Sequence, residues 1–231
     1  MIFHSSGFVP EKTWQHVNAN IMKMLTCSPA SLAHLARRDK KMAAVIERLG
    51  PIEREGYGNL FHALVHSIAG QQISGKALAS IWQRVRGLVG DITPERMAAQ
   101  PPEALQACGL SSRKVEYILD LTRQVLDGEL DLAAIATLPD NEVIARLVAL
   151  RGIGAWTAEM MLLFCLRRPD IISFGDLGIH RGLRMLYRHR TIDRTRFARY
   201  CKRFSPYGST ASLYLWAIAG GALPELTDPA A

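Results

Sequence analysis

The chain has 231 residues, of which 48% are hydrophobic, so it is long enough to bury a substantial core in one or two domains. Its net charge of +7 favours a polyanionic partner such as a nucleic acid. The four widely spaced cysteines exclude a zinc or iron–sulfur motif. The lack of a long apolar run or a signal peptide excludes a membrane span and predicts a soluble protein of the reducing, cytoplasmic compartment.

Helix start signals recur along the first half of the chain. Ser74 precedes a stretch with apolar residues at helical spacing, and Pro94 stands at the first position of another predicted helix. A third amphipathic stretch begins after Ser111 or Ser112. Alternation with a period of two is absent, and the apolar residues 171–174 are too few for a sheet. The sequence therefore predicts an all-α fold of about ten short helices.

Residues 147–176 form the most informative stretch, and the predicted hairpin within and before it spans about residues 140–166. Two apolar helical stretches, the first opened by Asp140, flank a turn in which Gly152 and Gly154 enclose one isoleucine. So short a turn leaves backbone N–H groups free at the start of the second helix, where they and the helix dipole suit a DNA phosphate. The segment therefore predicts a helix-hairpin-helix motif that grips the DNA backbone.

Asp176 follows the second of these glycines by 22 residues. The residues after it, LGIHRGLRML, predict a helix, so the carboxylate lies at a helix start, where the dipole favours the charged form. An aspartate in that place is commonly only a helix cap. The hairpin upstream favours instead a catalytic carboxylate that faces the sugar of the bound nucleotide. We expect Asp170 to be solvated in a connector and Glu159 to lie at the surface.

The basic residues are unevenly distributed. Nine Lys and Arg residues but one acidic residue lie between His180 and Arg203, whereas the rest of the chain holds 19 basic and 20 acidic residues. A solvated surface of arbitrary charge is one explanation. A surface that faces phosphates is the sharper one, because Arg and Lys displace the counterions of DNA. The basic run at residues 37–41 adds to this surface.

The run LVALRGIGAWTA at residues 147–158, followed by Asp176, resembles the helix-hairpin-helix DNA glycosylase superfamily. Over about residues 57–221 the chain is most similar to the alkylpurine branch, the 3-methyladenine DNA glycosylase II type. The resemblance implies two helical domains with a cleft between them. Residues 60–176 would form the central domain with the hairpin, and residues 1–59 plus 177–231 a discontinuous one. The short segment before the central region implies a compact form without the N-terminal β-domain of longer members.

The resemblance implies a monofunctional DNA glycosylase. Members that also cut the DNA backbone place a lysine two residues after the second hairpin glycine, where this chain has Trp156, and an indole cannot form a Schiff base. We therefore expect hydrolysis of the N-glycosidic bond of alkylated bases of the 3-methyladenine and 7-methylguanine type, by base flipping, at the start of base excision repair. Asp176 would stabilise the oxocarbenium-like transition state and orient the attacking water. Because alkylation makes the base cationic, the base leaves without a dedicated acid.

Two other functions stay open at this point. A non-catalytic helix-hairpin-helix DNA-binding module fits the hairpin and the basic stretch equally well, and Asp176 with its flanking aromatic residues is what discriminates against it. A glycosylase for a neutral damaged base would need a leaving-group acid, and none is evident in the sequence. The expected partner is double-stranded DNA that contains alkylated bases, and we expect the protein to act as a monomer.

The resemblance also assigns residues to the base pocket. Trp156 and Trp216 would form its walls, where an indole attracts a cationic base by ~0.5–2 kcal/mol. Ordinary core packing is the alternative role for either residue. Met160 stands where the prototype has another aromatic residue, and Tyr207 or Tyr214 could replace that ring.

The resemblance further assigns contacts with DNA. The segment AGQQIS at residues 69–74 resembles the loop that enters the duplex, so Gln72, with Gln71 beside it, would fill the gap left by the flipped base. A plain polar turn is the alternative. The expected phosphate-binding residues are Gly152, Gly154, Thr157 and Arg181.

The predicted reaction requires no cofactor, and the four-cysteine iron–sulfur loop is absent. Hairpins of this family hold a monovalent cation through backbone carbonyls, and the matching Na⁺ or K⁺ ligands would be Val148, Leu150 and Gly152. His62 and His66 have the spacing of two zinc ligands on one helix, but no third ligand lies nearby. We expect these two histidines to be residues of a helix face.

Overall fold

The computed structural model describes residues 23–230, which form thirteen α-helices and one pair of antiparallel strands. The strands are β1 (Lys23–Thr26) and β2 (Glu53–Gly56). The helices before the hairpin are α1 (Pro29–Arg38), α2 (Lys40–Leu49), α3 (Leu60–Gly70), α4 (Gly75–Val89), α5 (Pro94–Ala98), α6 (Pro102–Ala107), α7 (Ser112–Leu126) and α8 (Leu132–Thr137). The hairpin helices are α9 (Asp140–Val148) and α10 (Ala155–Phe164), and α11 (Leu177–Tyr187), α12 (Arg194–Phe204) and α13 (Gly208–Ala219) follow. None of these helices is long and apolar enough to span a bilayer.

The predicted helix starts at the capping residues are confirmed. The Ser74 hydroxyl accepts the N–H of Ala77 at 3.2 Å, and Ser111, rather than Ser112, caps α7. Pro94 is the first residue of α5. Each cap satisfies an N–H that the first helical turn leaves without a backbone partner. The helical fold class is therefore confirmed, with more helices than the ten expected.

The strand pair was not predicted. β1 and β2 are joined in antiparallel register from Lys23 opposite Gly56 to Thr26 opposite Glu53. The sequence of β2 is EREG, in which the first three residues are exposed and only the glycine is buried. A strand of this composition has no alternation of apolar and polar residues, so its pairing with a distant segment leaves no sequence signal.

The hydrophobic core consists of two clusters of buried residues that meet at Phe164 and Trp216. One contains buried residues between Leu60 and Ile171, and the other is built by α1, α2 and α11 to α13. Phe164 and Trp216 pack against both clusters. The division into domains at residues 59/60 and 176/177 stays a prediction, and residues 1–22 of the discontinuous domain lie outside the described residues.

Helices α11 and α13 approach each other closely at Gly182. A Cβ at this position would lie 2.3 Å from the carbonyl oxygen of Leu215, so only glycine permits the observed spacing. The contact places the middle of α11 beside Leu215 of α13, and one turn earlier Gly178 lies beside Trp216. Asp176, which caps α11, and Trp216 of α13 are thereby brought within hydrogen-bond distance.

Candidate active site

The hairpin turn between α9 and α10 is glycine-dependent. Gly152 has φ +83°, and a Cβ there would lie 2.4 Å from the ring of Tyr117. Gly154 is the N-cap of α10, is exposed, and provides no side-chain cap. The first N–H groups of α10 therefore remain available for an anion, which is what the sequence predicts for phosphate binding. Asp140 is the first residue of α9, and Pro139 takes the cap position.

Asp176 is the N-cap of α11 and is only 7% exposed. Its Oδ1 accepts the N–H of Ile179 at 2.8 Å and the indole N–H of Trp216 at 3.0 Å. Its Oδ2 accepts the indole N–H of Trp156 at 2.7 Å. All three partners donate, so both oxygens act as acceptors, which is the pattern of an ionised carboxylate. The side chain is thus both a helix cap and the centre of a hydrogen-bonded site.

A cavity of about 380 Å³ opens beside this carboxylate. Trp156 is 47% exposed to solvent. Trp216 is half-buried and stacks on Phe164 with ring centroids 5.6 Å apart. Asp176 is the one carboxylate among the described residues that line the cavity, and no Lys or Arg is among them. The lining residues are Tyr57, His66, Ser67, Gly70, Gln71, Leu78, Trp156, Thr157, Met160, Met161, Phe164, Asp176 and Trp216.

The sequence analysis missed several residues of the cavity wall, among them two that can hydrogen-bond to each other. Tyr57 and His66 line the cavity, and the Tyr57 hydroxyl lies 2.8 Å from His66 Nδ1. The His66 ring also packs perpendicular to the ring of Trp82, with the two centroids 4.6 Å apart. Burial, followed by the charge of His62, lowers the pKa of His66 to about 4. His66 is therefore neutral at physiological pH. Its position on a helix face was predicted, but no local signal shows what packs against that face.

The loop after α3 is attached to the hairpin. The Gln71 side chain donates from Nε2 to the carbonyl oxygen of Gly152 at 2.7 Å. Lys114 Nζ donates to the carbonyl oxygens of Ala69 at 2.9 Å and Gln71 at 2.7 Å, which closes the end of α3. Gln72 is exposed and has φ +56°. Gln71 therefore joins the loop to the hairpin. The exposed side chain of Gln72 is accessible to DNA, and its insertion into the duplex stays a prediction.

The structure modifies two phosphate-contact predictions. The Thr157 side chain is buried and lines the cavity, so a phosphate at the start of α10 would meet its backbone N–H. Arg181 is exposed, with its Nε 3.9 Å from Asp228, which also pairs with Arg184. Part of the Arg181 charge is therefore already balanced by a carboxylate of the same chain.

The predicted cation ligands stay a prediction. Of the three carbonyl oxygens, that of Leu150 accepts the N–H of Ile153 at 3.1 Å, and that of Gly152 accepts Gln71. Val148 ends α9. Among residues 23–230 there is no group of three or more His, Cys, Asp or Glu side chains that could hold a metal ion.

The competing carboxylates have other roles. Asp170 is exposed, as expected, but it accepts the N–H of Gly208 at 2.9 Å at the start of α13. Glu159 is half-buried, so part of it lies at the surface as expected, but its carboxylate accepts the Ser173 hydroxyl.

Two tyrosines considered for the pocket lie elsewhere. Tyr214 is fully buried and its hydroxyl donates to the Gly50 carbonyl at 2.6 Å. Tyr207 packs edge-on against His34, away from the cavity.

Comparison with known proteins gives concordant similarities. The family described as HhH-GPD superfamily base excision DNA repair protein matches residues 65–206. Schizosaccharomyces pombe DNA-3-methyladenine glycosylase 1 is 28% identical over 214 residues, which cover 90% of this chain and 93% of that protein. The crystal structure of a Bacillus halodurans DNA-3-methyladenine glycosidase superposes with a TM-score of 0.77 at 36% identity, covering 88% of this chain and 95% of that one. An S. pombe 3-methyladenine DNA glycosylase solved in complex with abasic DNA gives 0.73 at 26% identity, covering 86% and 99%.

Proposed function

The chain belongs to the HhH-GPD superfamily of base excision DNA repair proteins, and we propose that it is a monofunctional DNA glycosylase that removes alkylated bases from duplex DNA. The similar proteins named above are DNA-3-methyladenine glycosylases, and one of them was solved with abasic DNA, the product of base removal. We also propose that the chain acts on DNA as a monomer.

The charge of the cavity carries the proposal. One carboxylate, that of Asp176, faces a wall of aromatic and thioether side chains, while the low pKa of His66 leaves this histidine uncharged. Methylation at N3 or N7 makes a purine cationic. A cationic base gains from the negative carboxylate and from the π-faces of the indoles, whereas a neutral base gains much less. The charge of the cavity therefore favours binding of cationic alkylated bases over binding of neutral damaged bases.

Asp176 is the proposed catalytic residue. Cleavage of the N-glycosidic bond leaves positive charge on the sugar, and a fixed carboxylate stabilises that charge without reorganising. The indole N–H groups of Trp156 and Trp216 hold its two oxygens from two different helices. The carboxylate can also orient the attacking water and accept its proton. No leaving-group acid is required, because the departing base becomes neutral when it takes the electrons of the broken bond.

The absence of an amine beside the carboxylate supports hydrolysis without lyase activity. The side chain nearest Asp176 on α10 is Trp156, whose nitrogen is bound to the carboxylate and cannot form a Schiff base. Among the described residues that line the cavity there is no lysine. The proposed nucleophile at the sugar is therefore water.

DNA would be held by its backbone and opened by base flipping. The free N–H groups at the start of α10 provide the phosphate contact, and Gln72 at the exposed loop would occupy the gap in the stack. The Gln71 side chain couples this loop to the hairpin through Gly152. The proposed phosphate-binding turn and the proposed intercalating loop are thus connected to each other next to the cavity.

The test is release of free base from methylated duplex DNA by wild type and by Asp176→Asn, resolved by chromatography. Asparagine caps helices as well as aspartate does, so the variant should fold and bind DNA. Removal of the charge should lower kcat by about 10²- to 10³-fold. Asp170→Asn is the matched control, since Asp170 also caps a helix but lies outside the cavity. It should release base at the wild-type rate.

Each alternative has its own outcome. Equal release by wild type and Asp176→Asn would place catalysis on another group. Tight duplex binding with no release from any alkylated or deaminated duplex would identify a binding module. Release of hypoxanthine in preference to 3-methyladenine would identify a glycosylase for neutral bases.

A further inference from the structure

The two basic runs of the sequence meet at the end of α11. Asp39, between α1 and α2, is buried and accepts the N–H groups of Lys41 and Met42 through Oδ1. Its Oδ2 accepts the Tyr187 hydroxyl at 2.9 Å and an N–H of Arg203 Nη1 at 2.6 Å. One buried carboxylate thus fastens the segment around residues 37–41 to the last turn of α11 and to α12.

Three cations lie in the region of His189 just beyond this junction. Arg196 Nη1 donates to the carbonyl oxygen of Thr191 at 2.6 Å, and Arg199 precedes Tyr200, whose hydroxyl lies 2.7 Å from His189 Nε2. Partial burial lowers the pKa of His189, and the charges of Arg196, Lys41 and Arg199 lower it further. Lys41 Nζ also donates to the carbonyl oxygen of Leu186 at 3.3 Å. We call Lys41, Arg196 and Arg199 with His189 the His189 cluster. Its three cations come from two helices distant in sequence, so only the fold assembles it.

Among the described residues the cationic side chains of the His189 cluster have no ion-pair partner, although Asp39 and Asp193 accept the backbone N–H groups of Lys41 and Arg196. The neighbouring Arg203 and Arg184 are paired with Asp39 and Asp228. Within residues 23–230, by contrast, none of the three cluster cations has a carboxylate oxygen within 4.0 Å. Like charges held together repel unless an anion joins them, and a cluster of this kind produces a local positive potential.

The cluster is separate from the lesion cavity. Asp176 caps the first turn of α11, and His189 follows its last residue, Tyr187. An α-helix rises ~1.5 Å per residue, so the eleven residues of α11 separate the two sites by ~16 Å. None of the cluster residues lines the cavity, and none belongs to the hairpin.

We propose that the His189 cluster is a second binding surface for the phosphate backbone of DNA, independent of the hairpin. The inference rests on the proposed function for the choice of DNA as the polyanion. Two of its cations are arginines, whose planar guanidinium groups hold phosphate oxygens in pairs. The phosphates belong either to the same duplex several nucleotides from the lesion or to a second DNA segment, and the chemistry of binding is the same.

The first experiment measures the salt dependence of binding to a duplex that contains 7-methylguanine. In the variant Lys41→Gln/Arg196→Gln/Arg199→Gln, the slope of log K against log[NaCl] should become shallower by up to ~2.7, because each phosphate contact contributes ~0.9. The charge-preserving variant Lys41→Arg/Arg196→Lys/Arg199→Lys should keep most of the slope. This second variant separates loss of charge from loss of packing, since Arg196 also donates to a loop carbonyl.

The matched control removes three charges that already have partners. Arg48→Gln/Arg96→Gln/Arg123→Gln changes the net charge by the same amount, and each of these arginines pairs with a carboxylate. Its salt slope should stay within one phosphate contact of wild type. Equal slopes for the cluster variant and this control would overturn the proposal, as would binding of polyglutamate in preference to DNA.

Two further arms identify the source of the phosphates. If the flank of the lesion duplex is bound, wild type gains affinity when the duplex is extended from about three to about ten base pairs beyond the lesion, a reach set by the ~3.4 Å spacing of phosphates along a strand. The cluster variant loses that gain. If a second segment is bound, unlabelled duplex accelerates dissociation of wild type but not of the variant.

Base release, measured in parallel on the short duplex, separates this proposal from the proposed function. If wild type releases base and the cluster variant keeps the wild-type salt slope, the second binding surface alone is refuted. If the cluster variant has a shallower slope but wild type releases no base, the proposed function alone is refuted.

Discussion

Replacement of Gly178 by alanine should lower base release by disturbing two proposed site residues at once. Gly178 lies in the first turn of α11, where a Cβ would stand 2.9 Å from Cδ1 of Trp216 and 3.1 Å from Oδ1 of Asp176. Ordinary contacts of a Cβ begin at 3.4 Å, so the indole must move by roughly 0.5 Å. Because Trp216 stacks on Phe164, it cannot turn away freely.

The expected magnitudes follow from these contacts. Alanine gains up to about 1 kcal/mol of helix propensity over glycine. The indole N–H bond to a charged carboxylate is worth ~1.5–3 kcal/mol, so its loss leaves a net destabilisation of about 0.5–2 kcal/mol. Displacement of a positioned group by a fraction of an ångström should reduce kcat/KM by about 10- to 100-fold. Stability thus changes little, whereas activity changes strongly.

The assay combines single-turnover release of 7-methylguanine with thermal unfolding. Gly87→Ala is the matched control, because Gly87 is also helical but has no atom within 4 Å of the added Cβ. It should gain about 1 kcal/mol, or ~2–4 °C in Tm for a chain of this length, at unchanged activity. If Gly178→Ala retained the wild-type kcat/KM while the control behaved as expected, the spacing of the indole and the carboxylate would have no catalytic importance.

Three further predictions address the walls of the site. Trp156→Phe keeps a ring but removes the N–H that binds Asp176 Oδ2, so single-turnover base release should fall by about 10-fold while DNA affinity is maintained. His66 has its pKa lowered to about 4, so the unfolded chain binds more protons between about pH 4 and 6.5, and the stability present above pH 6.5 is lost as the pH falls through this window. In urea unfolding at several pH values, His66→Gln should remove a pH dependence on the order of 3 kcal/mol. Gly152→Ala combines φ +83° with an overlap against a tyrosine ring, so it should cost about 2–4 kcal/mol and weaken duplex binding, measured by urea unfolding and fluorescence anisotropy.

Each of these has a discriminating control. Gly128 also has a positive φ of +75° but no neighbour within 4 Å, so Gly128→Ala should cost only about 1 kcal/mol and leave DNA binding intact. Equal costs at the two glycines would show that the packing of the turn is unimportant. An unaltered pH profile for His66→Gln would mean that the histidine titrates normally. Wild-type rates for Trp156→Phe would remove the indole N–H from the mechanism.

Local signals predicted the helical framework well. The caps Ser74, Ser111 and Asp193 each bind an N–H three residues further along the chain, so the information lies within one turn of helix. The hairpin was predictable for the same reason, since its glycines act on the turn that contains them. Strand β2 was not predictable, because its partner lies some 30 residues earlier and its own composition is polar.

The sequence by itself determined where the carboxylate stands: Asp176 begins α11 by accepting the N–H of Ile179, a contact that depends only on neighbouring residues. Tertiary structure decided what surrounds that carboxylate. Trp156, Trp216 and His66 reach the cavity on α10, α13 and α3, and the close approach of α11 to α13 requires Gly182. The two indole contacts of Asp176 join residues 20 and 40 positions apart, and they form only when the apolar faces of several helices are buried together. The same packing brought Lys41 to the last turn of α11, where it binds the carbonyl oxygen of Leu186, and no pattern within either segment could reveal this contact.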